Sequence, residues 1–266
     1  MLTVAKNNIR YIKNAMKCNL KSIIEYKSSF ILQTIFMFVN NGFFLIFWNV
    51  VFGINNNQTN GIEMKEIYYM WAISTIAYGI AYFLFGGIAN IGKNIITGGL
   101  DSYLTQPKNI FINIATSKCD FSACGDLLYG LMIGILASNN LFDYLEILGY
   151  SLLGSIIFIA TMTIIRSLSV YVGDVDEMAE RYEHTFLINF SVYPEEIFGK
   201  VIKFMLYTLV PAGYIVHLPI KLIGSFSITK FLILILAITI YVIIAIVLFK
   251  KALKNYESGN SMSLKG

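Results

Sequence analysis

The run Phe231 to Phe249, FLILILAITIYVIIAIVLF, holds no charged residue and is closed by Lys250, Lys251 and Lys254. About 20 apolar residues at 1.5 Å rise cross a hydrocarbon core about 30 Å thick, so such a run reads as a membrane-crossing helix. Phe30 to Phe52, Ile67 to Ile91 and Ile147 to Ile165 read the same way. Val201 to Leu218 is shorter and carries Pro211, and Ile112 to Ala137 is interrupted by Lys118, Asp120 and Asp126. Composition agrees, with 56% hydrophobic and only 14% charged residues, against about a quarter charged in soluble domains.

Charge placement sets the number of spans. Lys6, Arg10, Lys13, Lys17, Lys21 and Lys27 precede the first span, and Lys250, Lys251, Lys254 and Lys265 follow the last. The positive-inside bias puts both ends in the cytoplasm, which requires an even number of crossings. With six, the external loops hold only Lys65, Lys221 and Lys230 of the 20 basic residues. The expected fold is an all-α polytopic membrane protein of six transmembrane helices in one domain: residues 1–28 an amphipathic elbow helix, 29–249 the bundle, 250–266 a cytoplasmic tail. The acidic patch Asp174 to Glu183 then falls inside, which the rule tolerates because it counts Lys and Arg rather than net charge.

The N-terminal stretch lacks a short apolar core with a small-residue cleavage site, so no cleavable leader is expected. Ile9, Ile12, Met16, Leu20 and Ile23 instead share one helical face, with Arg10, Lys13, Lys17 and Lys21 about a quarter turn away. Long basic stems at that position reach lipid phosphates from a helix lying flat on the membrane.

Catalytic and metal chemistry find little support. Cys18, Cys119 and Cys124 are too few and wrongly spaced for a zinc site. Gly87 to Lys93 has phosphate-loop spacing, but Asn94 stands where Ser or Thr would hold magnesium, and the stretch follows an apolar helix rather than a strand. It reads instead as the inner end of the second span, its glycines permitting close packing or an exit turn. The pair Glu195-Glu196 is similar to that of intramembrane proteases, yet only His184 and His217 exist as ligands, and the six-span topology separates them. No catalytic residue, no metal site and no bound cofactor are expected in this chain.

Between the second and third spans, Gly98 and Gly99 permit a tight reversal, Asp101 can cap a short helix, and Pro107 ends it. The result is a short stiff protrusion. Asp126 is the deepest intramembrane carboxylate: a substrate contact, a partner for Arg166, or an interfacial group if the third span starts late.

The stretch Gly98-Gly99-Leu100-Asp101-Ser102-Tyr103-Leu104-Thr105-Gln106-Pro107 resembles the G-x-L-D-x-x-L-x-x-P signature of type-2 permeases, the membrane subunits of ATP-binding cassette exporters. More closely it resembles a bacterial subgroup of about 260 residues without a fused ATPase. Tyr193-Pro194 with Ile197-Phe198 resembles that subgroup's Y-P-x-x-I-F element, followed by Val210-Pro211-Ala212 and Pro219. Leu253-Lys254-Asn255-Tyr256-Glu257-Ser258 resembles its closing L-x-x-Y-E-S. Gln106 departs from the Arg that many relatives carry before the proline.

The resemblance implies a permease in the bacterial cytoplasmic membrane, working as a homodimer or heterodimer above two cytoplasmic ATPase subunits that bind the ATP and Mg. Gly98, Gly99, Leu100, Asp101, Tyr103, Gln106 and Pro107 would then form the ATPase-coupling segment. Tyr193, Pro194, Pro211 and Asp126 become candidates for the substrate pathway, with the proline breaks placing short re-entrant backbone beside it. Lipids are expected partners and nucleic acid is not. The alternative is a self-contained secondary transporter or channel, which would show broken helices recurring in both halves; no internal repeat is evident.

Overall fold

The computed structural model describes residues 2–54, 58–59 and 62–256, and side chains over 7–53 and 63–256. Lys265 and the Glu257-Ser258 end of the tail motif lie outside the described residues, as does the side chain of Lys6.

Helix α1 (Leu2–Glu25) is followed after a one-residue break at Tyr26 by α2 (Lys27–Ile54). After a two-residue antiparallel pairing of Gln58–Thr59 with Ile62–Glu63, α3 (Met64–Gly79) begins the second crossing. Four helical segments among the described residues are long and apolar enough to cross a membrane by length and composition: Lys27–Gly53, Met64–Leu84, Leu141–Val172 and Ile228–Asn255. A fifth, α7 (Phe121–Ala137), is apolar but shorter. No bulk water reaches a bilayer core, so helices that satisfy their own backbone are the natural solution for a chain this apolar.

The second crossing does not run straight. Its helix widens into a π turn at Ile80–Leu84, tightens into a 3-10 turn at Gly86–Asn90, and resumes as α4 (Ile91–Ile96). The Tyr82 carbonyl accepts from the Asp120 backbone N–H at 3.2 Å. Gly87 is needed for packing: a Cβ there would collide with the Ile114 carbonyl oxygen. The glycines that imitate a phosphate loop are therefore close-contact residues, one of the two roles expected of them.

In the region expected to hold the third span, the longer helix starts later than the stretch drawn from Ile112. A short α6 (Ile110–Ala115) ends before Thr116, and Asp120 starts α7 by accepting from the Ser122 N–H at 2.9 Å. Lys118 and Asp120 fall in this break, so the charges that blurred the hydropathy pattern lie between helices. At the crossing of α7 with α3, a Cβ on Gly130 would come within 2.9 Å of the Ile76 backbone nitrogen. Without a strong hydrophobic drive between helices in lipid, such close small-residue contacts hold bundles together.

The next long helix is α8 (Leu141–Ser167), capped by Asn140 accepting from the Asp143 N–H at 2.9 Å and prolonged by α9 (Ser169–Val172). Its buried Ser151 and Ser167 hydroxyls donate to carbonyls one turn earlier, which satisfies them without a partner helix.

The largest departure from expectation concerns the fifth span. Val201 to Leu218 is not a continuous helix: α12 (Lys200–Met205) is followed by turns, a π turn at Gly213–His217 and α13 (Leu218–Ile220). These pieces form a hairpin. The Gly213 N–H donates back to the Leu206 carbonyl at 2.9 Å, and Lys221 at the far end pairs with Glu195 ahead of the near end. Unbroken helix runs instead through the acidic patch, as α10 (Asp176–Arg181), a π turn at Tyr182–Ile188 and α11 (Asn189–Val192). Its carboxylates hid it from a hydropathy reading, because Asp176 and Glu183 are held by Arg166. The last long helix is α14 (Ile228–Asn255).

Two faces of the bundle follow. The near face carries the α4 end of the second crossing, α5 (Asp101–Leu104) and the end of α14; the far face carries the starts of α3 and α8 and the turn after Tyr193. Glu195-Glu196 sits just beyond the far-face end of the unbroken helix.

Candidate functional site

Two constructions stand out, one on the near face and one within the bundle. The near-face element begins at Gly98, whose φ of 77° only glycine adopts freely and which turns the chain out of α4. Leu100 is fully buried and anchors the segment, while Ser102 and the stretch from Leu104 to Asn109 are exposed. Asp101 is not the cap residue expected of it. Leu100 holds that position without a side-chain bond, and the Asp101 carboxylate instead accepts from the Tyr256 hydroxyl at 3.0 Å. Burial first, then this carboxylate, pushes the Tyr256 phenol up to about 12, so it stays a donor.

The other side of the protrusion is tied to α1. Asn113 donates to the Gln106 side-chain oxygen at 2.9 Å and accepts from the Tyr11 hydroxyl, and the Lys108 ammonium sits 4.0 Å from the centre of the Tyr11 ring. Asn19 donates to the Thr116 carbonyl at 3.1 Å, which fixes α1 along the same stretch. Gln106 is thus a connector within the chain. Gly99 packs against Asn94, Tyr103 is half-buried, and Pro107 follows the exposed end of α5. Arg10, Lys13, Lys17 and Lys21 are all exposed on α1, as are Ile9 and Leu20, while Ile12 and Met16 are half-buried.

The second construction is a cavity of about 490 Å³ among α2, α3, α7 and the π turn that follows α10. Asp126 opens onto it and is 7% exposed. The Asn41 amide donates to one of its oxygens at 2.7 Å. Arg166, considered as its partner, is committed elsewhere, reaching Asp176 at 3.1 Å and Glu183 at 3.2 Å. Glu183 also accepts from the Tyr82 hydroxyl at 2.6 Å, so three helices share that network.

One wall is aromatic: Phe44 stacks on Trp71 with ring centres 4.1 Å apart, and Tyr193 meets Phe44 edge-on at 5.5 Å. Tyr193 therefore backs the cavity, while buried Pro194 starts the turn beyond it. Pro211 lies at the tip of the hairpin. There the carbonyls of Thr208 and Leu209 accept from the hydroxyls of Tyr241, at 2.8 Å, and Tyr182. Irregular backbone is thereby satisfied by protein donors, as it must be away from water.

The sequence reading missed Asn40 and Asn41, though an amide pair inside an apolar span is a functional signal of its own. It also missed Tyr11 and Asn113, whose roles depend on contacts across the fold that no local pattern reveals.

The family model described as ABC-2 family transporter protein matches residues 37–260. No curated protein and no solved structure matches the chain. The matched region takes in both constructions apart from α1 and the first residues of α2. With membrane-length helices, a stiff near-face turn and a match over most of its length, the chain belongs to the ABC-2 family of transporter proteins.

Proposed function

We propose that the chain is the membrane-spanning permease subunit of an ATP-binding cassette exporter in the bacterial cytoplasmic membrane, paired with a second permease and driven by separate ATPase subunits. The supporting observation is the near-face protrusion. An exposed turn held from opposite sides by Tyr256 and by the Tyr11, Asn113 and Gln106 chain is stiff. A stiff element transmits a partner's displacement into helix tilting, whereas a floppy loop absorbs it.

In this reading the near face is cytoplasmic. Arg10, Lys13, Lys17, Lys21, Lys93, Lys108, Lys250, Lys251 and Lys254 all lie toward it, in keeping with the positive-inside bias. Six crossings result, with the fifth running from Asp176 to Val192 and the hairpin re-entering from outside. Seventeen helical residues at about 1.5 Å each give about 25 Å, enough when neighbouring helices shield the ends. The cavity beside Asp126 belongs to the substrate pathway, and export is the direction usual for the class. ATP and Mg belong to the partner. Reconstitution with the ATPase tests this: Asp101→Pro is expected to abolish transport-coupled ATP turnover, and unchanged coupling would overturn the assignment.

A further inference from the structure

The cavity among α2, α3 and α7 has a chemistry of its own. Asp126 is a buried carboxylate, and among the described residues no Lys or Arg lines the cavity and no ion pair reaches it. Its one hydrogen-bonded neighbour, Asn41, is neutral. A carboxylate inside a bundle is costly unless a cation or several donors answer it, and Arg166, the partner considered for it, is already bonded to two other carboxylates.

What surrounds Asp126 is suited to a cation brought from outside. Phe44, Trp71 and Tyr78 line the cavity, and aromatic faces attract ammonium groups through their quadrupoles. Asn40, Asn189, Ser74 and Thr75 add polar groups that can hold a headgroup. His184 also lines the cavity, its ring 6.4 Å from that of Tyr78 between centres. It projects from a π turn, a local widening of helices often found where a ligand is held.

We propose that this cavity binds the cationic headgroup of an amphipathic organic ammonium compound, with Asp126 as counter-ion and Phe44, Trp71 and Tyr78 as the aromatic wall. This rests on the reading of the cavity as part of the transport pathway, and it names the class of substrate carried. A volume of about 490 Å³ suits a headgroup with an attached ring or short chain.

The two tryptophans of the chain report directly on the site, since Trp71 lines the cavity and Trp48 packs edge-on against Phe44 at 6.4 Å between ring centres. The full chain in nanodiscs of zwitterionic lipid is titrated with benzyltrimethylammonium, benzyl alcohol and benzenesulfonate, which share a ring and differ in charge. The cation is expected to change tryptophan emission saturably and to bind at least about tenfold more tightly than the other two. Asp126→Asn is expected to erase that preference and Asp126→Glu to keep it.

Equal binding of the three probes to the unmodified chain overturns the proposal without any variant, and so does an unchanged preference in Asp126→Asn. Binding here needs no ATPase. Its failure leaves the permease role standing, and failure of ATPase coupling leaves this binding intact.

Discussion

Tyr256 at the end of α14 donates to Asp101 in the near-face protrusion at 3.0 Å, across 155 residues of sequence. Two stretches that look like separate signatures thus form one joint, linking the last crossing to the turn between the second and third. Tyr256→Phe removes the donor and keeps the ring. Expected is a stability loss of about 1 kcal/mol, since both groups are partly exposed, with faster hydrogen exchange over residues 98–107. Unchanged exchange there would show that the joint does not stiffen the protrusion.

The opposite side of the protrusion gives a coupling test. Tyr11→Phe and Gln106→Ala cut one chain at different points, so their effects on coupled ATP turnover are expected to be non-additive, with an interaction of about 0.5–1 kcal/mol. A double-mutant cycle measures it. Full additivity would mean that α1 and the protrusion act independently.

Arg166 supports the helix from Asp176 to Val192 by holding Glu183 and Asp176 together, its own side chain 6% exposed and that of Glu183 2%. Breaking a buried pair by removing one member typically costs about 3–5 kcal/mol. Arg166→Met is therefore expected to give little folded protein, judged by fluorescence-detected size exclusion. The double variant with Glu183→Gln should recover part of it, since the orphaned carboxylate at 183 is then neutral.

The hairpin is tied at the far face by Lys221 and Tyr207, both donating to Glu195. Burial raises the Glu195 carboxyl, but these bonds outweigh it and leave the group below its ordinary value of 4.5. A depressed carboxylate contributes stability that is present above its unfolded value and lost as pH falls through its folded one. Melting temperature in detergent is thus expected to drop below about pH 4.5, and Lys221→Met should flatten that dependence. An equal acid sensitivity in the variant would assign it to other carboxylates.

What the sequence disclosed and hid has a physical pattern. Phe231 to Phe249 and Phe30 to Phe52 were legible because each helix has much of its surface outside the packed core, which in a membrane helix must be apolar. The helix from Asp176 to Val192 was illegible because Arg166, on another helix, neutralises carboxylates that hydropathy counts as polar. The hairpin from Lys200 to Ile220 was apolar enough to imitate a span, with its shortness and Pro211 as warnings. At the site, Gly98 and Asp101 were visible as turn chemistry, but Tyr256 as the partner of Asp101 required the fold. Asp126 was visible as a lone intramembrane acid; its aromatic wall was not, since aromatics occur in every span.

The protrusion is the surface proposed to meet an ATPase. Leu104 is 44% exposed on it, and Leu141 is 73% exposed at the far-face start of α8. A photoreactive residue placed at each position, in membranes containing the ATPase, decides the matter most directly. A permease–ATPase crosslink is expected from position 104 and none from position 141. Crosslinking from 141 but not from 104, or from neither while the ATPase copurifies, would contradict it.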